Sequence, residues 1–180
     1  MLKRLPRFPV TPTCRKEGSD GQLLAITRHW LIWTTGAGMS NPSVVAEDGN
    51  EDAVFKSDDH TCHLKHDGEW WVLDVTNDRG KFCPAAAKFS SFDLAEKYLM
   101  WDWATTARSS LASGPLGTDL YKKDNAPSVE FSVIREGFVE IRGSAGAVAL
   151  STVNATIFSH LMAKPVEEIE RLVNAGMGPS

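Results

Sequence analysis

The sequence predicts an α+β protein: an antiparallel β-sheet of about six to eight strands packed against one central helix, with a short pair of helices at the C-terminus. Three observations carry that expectation. The stretch from Ser91 through Trp103, continuing to about Leu111, places Trp101, Leu94, Tyr98, Ala95, Leu99, Phe92 and Trp103 on a helical arc of about 200°. An arc that wide belongs to a helix enclosed on more than one side. Asp67-Gly68 sits between two strand-like runs, a strong short hairpin signal. Finally, Val129–Ile134, Phe138–Arg142 and Val148–Thr152 are separated by tight turns, the mark of an antiparallel meander.

In chain order, residues 1–20 read as an extended arm, with Pro6, Pro9 and Pro12 at three-residue intervals, and residues 21–180 as one α+β domain. Leu23–Thr35 is rich in β-branched and aromatic residues and favours strand, with two strands meeting near Arg28-His29. A short helix across its first half is the alternative. Residues 39–52 are polar and acidic and read as a loop. Ala53–Lys56, Thr61–Lys65 and Glu69–Val75 are strands. Lys81–Phe89 is an irregular one, because Pro84 removes a ladder donor and fits only an edge or a bulge.

Ser90, three residues before Asp93, reads as the cap of the central helix, and Gly114-Pro115 as its stop. Glu96, Asp93, Lys97 and Arg108 fall on its polar side. Residues 113–128 form a connection with one turn near Leu120-Tyr121. Asn154 caps a helix through about Met162, and Pro165 opens the last one, whose Val166, Ile169, Leu172 and Val173 share a face.

With 180 residues, 42% hydrophobic and 23% charged, the chain is an ordinary globular sequence large enough for one full core. Its net charge of −4 argues against nucleic-acid binding, which needs a basic face. Charge is nonetheless uneven: residues 1–16 carry +5, and residues 47–59 carry −5. Cys14, Cys62 and Cys83 are an odd number without paired spacing, which fits a reducing compartment. No run approaches the ~18 apolar residues that span a bilayer. The expected location is cytoplasmic.

His60, Cys62 and His66 share one face of a strand while His63 points away, so they are the one candidate metal set. Three ligands on a flat strand diverge, however, and solvated polar side chains on a hairpin are the plainer reading. Asp102 falls in the middle of the apolar arc, so it is expected to be buried. As a catalytic acid it would have a perturbed pKa; as an anchor it would pair with a strand backbone, an Arg or a Trp N–H, and the anchor is favoured. Ser159-His160 lacks a nucleophile elbow, and Gly36-Ala37-Gly38 lacks the length and Lys of a phosphate loop. The text from His160 to Ile169 looks like a helix-turn-helix, but Glu167, Glu168 and Glu170 would repel phosphates.

Three stretches carry a family resemblance: His63–Gly80 (HLKHDGEWWVLDVTNDRG), Phe89–Trp103 (FSSFDLAEKYLMWDW) and Ile157–Val173 (IFSHLMAKPVEEIERLV). They resemble actinobacterial immunity proteins, and in particular the antitoxin family that neutralises tuberculosis necrotizing toxin, a secreted NAD-hydrolysing enzyme. The resemblance spans roughly Trp30 to Val173 and rests on structural motifs. The run Cys83-Pro84-Ala85-Ala86-Ala87 is not a feature of that family. What the resemblance implies is a cytosolic immunity protein, not an enzyme, without cofactor or metal. It would bind its NAD-hydrolysing toxin one to one and block the NAD cleft.

Clefts that hold phosphates are commonly lined by Lys, Arg or backbone N–H groups, a field suited to acidic side chains. Glu47, Asp48, Glu51, Asp52, Asp58 and Asp59, with Asp67 at the neighbouring hairpin tip, are therefore the candidate toxin-binding residues. The competing readings are a protein-interaction module without a toxin, and a small metal-dependent enzyme using His60, Cys62 and His66.

Overall fold

The computed structural model describes residues 19–46 and 52–175. Of the arm expected at residues 1–20, residues 1–18 lie outside the described residues, and Ser19 and Asp20 instead open the first helix. The fold opens with helix α1 (Ser19–Gly36), which continues through the stretch expected to be strand. Tertiary burial overrides β-propensity here: Ile26, Trp30, Trp33 and Thr34, at helical spacing, are all buried. The two threonines that argue for strand instead turn their hydroxyls back along the helix. Thr34 Oγ1 donates to the Trp30 carbonyl at 2.7 Å and Thr35 Oγ1 to that of Leu31 at 2.8 Å.

Strand β1 (Ser43–Ala46) occupies part of the expected 39–52 loop and pairs with β2 (Ala53–Lys56). Then come β3 (Thr61–Asp67), β4 (Trp70–Thr76) and β5 (Phe82–Phe89). The β3–β4 hairpin forms as expected, with Gly68 at φ 65° supplying the left-handed turn residue. Pro84 sits at a register shift opposite Leu73 and Val75, where Ala85 has φ 47°. The bulge is stabilised by buried Asp74, whose carboxylate accepts the Ala85 N–H at 2.8 Å and meets Lys65 Nζ at 2.7 Å. Burial opposes the Asp74 charge, but these two donors outweigh it and hold the carboxyl below its usual range.

Helix α2 (Phe92–Ala107) is the enclosed central helix. Its cap is Ser91, which accepts from the Leu94 N–H at 3.3 Å, rather than the expected Ser90. Ser90 ties α2 to the far half of the sheet: its N–H donates to the Ala147 carbonyl and its Oγ accepts from the Ala147 N–H, both at 2.9 Å. Gly146 (φ 126°) lies over that hydroxyl, so closely that a Cβ there would collide with it. The helix breaks at Arg108, sooner than expected, and resumes for the single turn α3 (Ser109–Ala112). Arg108 leaves the helix to donate to the carbonyls of Val173 (2.7 Å) and Ala175 (3.0 Å) at the C-terminus of the last helix.

A turn, α4 (Thr118–Tyr121), leads to the meander β6 (Glu130–Arg135), β7 (Phe138–Gly143) and β8 (Gly146–Ser151). Helices α5 (Thr152–Ser159), capped by Ser151 rather than Asn154, and α6 (Val166–Asn174) complete the described chain. The eight strands form one antiparallel sheet in the order β1-β2-β3-β4-β5-β8-β7-β6. Two meanders meet in it, and β5 and β8 join them through only two residue pairs, Lys88↔Ala149 and Phe89↔Val148.

The core lies between this sheet and α2. Trp103 packs on Trp30 of α1 and Phe55 of β2 with ring centroids at 5.0 and 5.1 Å. Tyr98 packs on Phe89 of β5 and Phe158 of α5 at 5.2 and 5.5 Å. Lys97, expected on a solvated face, is 5% exposed, pairing with Asp93 at 2.7 Å and donating to the Met162 carbonyl at 3.4 Å. Closure of the chain around Met162 and α6 over this side of α2 is the reason.

Two denaturant melts check this arrangement. Leu99→Ala, at a fully buried position, should lose about 2–5 kcal/mol. Lys97→Ala should lose roughly 1–2 kcal/mol, as its stem is packed and its ammonium paired. Negligible loss from both would remove α2 from the centre of the core.

Candidate functional site

The structure divides the acidic residues named from sequence into two groups. Glu47, Asp48 and Glu51 lie outside the described residues, in the connection between β1 and β2. Asp52 closes that connection and Asp67 ends β3. Because Ala53 pairs with Leu64, both belong to the same end of the sheet. Asp52 meets His63 Nε2 at 3.6 Å. Asp58 and Asp59 sit in the β2–β3 turn at the opposite end, separated from the first group by the length of β2, roughly 13 Å at the rise of a strand. There Asp58 holds the turn in place. It accepts from Asn41 Nδ2 at 2.8 Å, and its N–H donates to the Ser40 carbonyl at 3.0 Å. The four described acids, Asp52, Asp58, Asp59 and Asp67, are thus not one patch.

Of the candidate metal set, His60 and Cys62 meet at 3.1 Å (Nε2 to Sγ). His66 is roughly 13 Å further along the strand from Cys62, its ring against Trp71 at 4.9 Å. Among the described residues no group of three His, Cys, Asp or Glu side chains could hold a metal. The His60–Cys62 contact does not make a nucleophile either. Cys62 is fully buried, and burial, aided by the charge of Asp102, pushes its thiol up to about 12 against the opposing Trp103 indole. Burial likewise lowers the His60 pKa, with Asp78 opposing, so a neutral ring faces a protonated thiol. Trp30 stacks on that ring at 6.4 Å, and the two line a narrow slot with Trp33, Thr34, Met39 and Trp103.

Asp102 is half-buried, and burial pushes its carboxyl up to about 6. The expected anchoring partner is not found among the described residues: the neighbouring Trp101 indole donates to the Leu116 carbonyl at 2.7 Å, and the Trp103 indole acts on Cys62 instead.

The most perturbed surface-reaching acid is Glu96, which helical periodicity places on the polar side of α2. It is 7% exposed, with no hydrogen bond or ion pair among the described residues. Burial first, and then the charge of Asp93, with smaller contributions from Glu167 and Glu170 of α6, push its carboxyl up to about 7, with Lys97 opposing. Glu170 also acts on His29 of α1, itself buried with a lowered pKa. Asp93, one turn earlier on the same helix, is the part of this that a single helix shows. The rest arises where α6 packs on α2 and brings Glu167 and Glu170 to bear.

Two measurements follow. Folded-state pKa values above the unfolded ones mean that the folded chain holds extra protons, so stability falls as pH rises from about 4 through about 7. Glu96→Gln should flatten that fall in melts across pH 4–8, and an unchanged slope would contradict the burial of Glu96. With Cys14 replaced by Ser, native protein should react with a thiol reagent at Cys83 and not at Cys62 until unfolded.

A family profile described as "Immunity protein 61" matches residues 31–178 of the chain. Among solved structures, Rv3902c from M. tuberculosis is similar with a TM-score of 0.59 and 15% identity, over 83% of this chain and 90% of that one, a likeness of fold. No curated protein matches the chain.

Proposed function

The chain belongs to the immunity protein 61 family, and on that premise we propose that it binds and inhibits a secreted NAD glycohydrolase toxin. It does so in the cytosol of the producing cell, by occupying the toxin's NAD-binding cleft in a one-to-one complex. The family match over most of the chain carries the immunity role. The toxin class rests on the resemblance of His63–Gly80, Phe89–Trp103 and Ile157–Val173 to antitoxins of tuberculosis necrotizing toxin. Inhibition by occupation needs no cofactor and no reaction, and the protonated Cys62 beside neutral His60 fits that reading.

Of the two acidic ends, the one holding Asp52 and Asp67 is the binding end, because Asp58 at the other end is committed to Asn41. Glu47, Asp48 and Glu51, outside the described residues, remain part of the same proposal. A phosphate-gripping cleft presents cations, so these acids steer association and their effect weakens with salt. No described helix is long and apolar enough to cross a membrane.

The experiment is an NAD-hydrolysis assay with the toxin encoded beside this chain's gene. Equimolar protein should abolish hydrolysis. Asp52→Lys combined with Asp67→Lys should slow association about tenfold at low salt and leave the melting temperature almost unchanged. Absence of inhibition by the unaltered protein would overturn the proposal. Unchanged association of the double variant would remove this end from the binding face.

A further inference from the structure

We infer that the free edge of β6 is a self-association surface, on which a second copy of this chain pairs its own β6 antiparallel about a two-fold axis through Ser132. The inference stands apart from the toxin-binding reading and is tested on the chain alone.

β6 ends the strand order, so one side of its backbone has no strand to bond. Edges of this kind are commonly blunted, and β1 at the other edge is only four residues long and follows Pro42. β6 runs for six residues without proline. It carries Val133, at 80% exposure the most exposed large apolar side chain among the described residues, and Ile134 at 53%. Helix α5 covers β7 and β8, and Val133 lies beyond that cover.

The register with β7 decides which side chains share a face. Glu130, Ser132 and Arg135 stand opposite Arg142, Glu140 and Phe138, alternate residues of β7, and so lie on one face. Phe131 and Val133 stand opposite the core residues Ile141 and Val139, on the helix-bearing face. Strict alternation would put Arg135 with Phe131 and Val133. The register shift between Val133 and Arg135 inserts Ile134 and transfers Arg135 to the face of Glu130.

That transfer makes the strand complementary to itself. Paired antiparallel about Ser132, each β6 sets its Glu130 across from Arg135 of the other copy and its Phe131 across from the other copy's Val133. Both contacts occur twice, as an isologous two-fold contact requires. Neither charge is spent inside the chain. Arg142, the neighbour of Glu130 on β7, is paired with Glu140 at 2.7 Å. The Arg135 guanidinium lies over the Phe138 ring at 4.6 Å, which steadies it and leaves the N–H donors at its edge for a carboxylate. An unrelated strand would meet only the backbone of this edge; the placing of Glu130 and Arg135 selects a second copy. Four strands lie between β6 and β3, which bears Asp67, so each copy keeps its proposed toxin-binding end open and binds one toxin per chain.

Sedimentation velocity on the full chain, across about a hundredfold range of concentration, reads the association. The unaltered chain should pass from monomer to dimer. Glu130→Arg sets arginine against arginine and should weaken the dimer by about tenfold or more. Combining Glu130→Arg with Arg135→Glu exchanges the charges and should restore it. A chain that stays monomeric throughout, a dimer that Glu130→Arg leaves intact, or one that the exchange does not restore overturns the inference. Should Glu130→Arg not fold, Val133→Lys, at an exposed position, replaces it and should likewise dissociate the dimer; a dimer that survives it is equally contrary. If the proposed toxin converts the dimer into a complex of one chain of each, the edge serves the toxin and the inference falls. If the chain dimerises as expected but does not inhibit that toxin, the immunity reading falls and the dimer stands.

Discussion

The packing of α2 is the constraint on which the rest of the fold depends. The two meanders touch through only two β5–β8 residue pairs, too short a ladder to hold two half-sheets in register. The helix spans that weak seam. Trp103 engages the first half through Phe55 and the flanking helix through Trp30. Tyr98 engages β5 through Phe89 and the second half through Phe158. Asn154 Nδ2 donates to the Tyr98 hydroxyl at 3.0 Å, and Ser90 clasps Ala147, so polar bonds reinforce the same seam. A helix that must contact both halves and two flanking helices has little surface left for water.

The unusual electrostatics follow from that enclosure. Glu96, Lys97 and Asp102 lie on a helix whose remaining faces are already taken. As α1 and α6 close over it, charged side chains lose water along with the apolar ones. Lys97 recovers a partner in Asp93; among the described residues Glu96 and Asp102 do not, and burial pushes their carboxyls up to about 7 and about 6. The same enclosure keeps Cys62 protonated beside His60, so the cysteine and histidine that most resemble a chemical site are core residues in contact. Enclosure thus keeps Cys62 protonated and His60 neutral, and it raises the carboxyls of Glu96 and Asp102.

Much of this is legible in the sequence, and where it is not the reason is physical. The enclosed helix, the Asp67-Gly68 hairpin, the Pro84 bulge and the C-terminal meander each rest on local rules of periodicity, turn chemistry or a missing donor, and local rules survive folding. In α1 propensity speaks for strand and misleads. The Ile26–Trp30–Trp33 spacing speaks for helix, but it gains its force only once a neighbouring surface exists to bury it. β1 escapes a sequence reading for a related reason: four residues on a sheet edge become a strand by pairing with β2, not by their own pattern. The acids are a second case. Closeness in sequence suggests one patch, but β2 intervenes and places Asp58 and Asp59 at the other end from Asp52. The state of Glu96 is only partly legible: Asp93 is three residues away on the same helix, but its burial and the charges of Glu167 and Glu170 exist only in the folded chain, the latter from α6, some seventy residues later.

A binding face at the end of the sheet that holds Asp52 and the Asp67 hairpin is the central claim, and amide hydrogen exchange on the free chain and on its complex with the proposed toxin tests it most directly. Complex formation should add protection in residues 52–54 and 64–71, with little change in the β6–β7 hairpin at the far edge of the sheet. Protection confined to β6 and β7, or to the β2–β3 turn around Asp59, would contradict it.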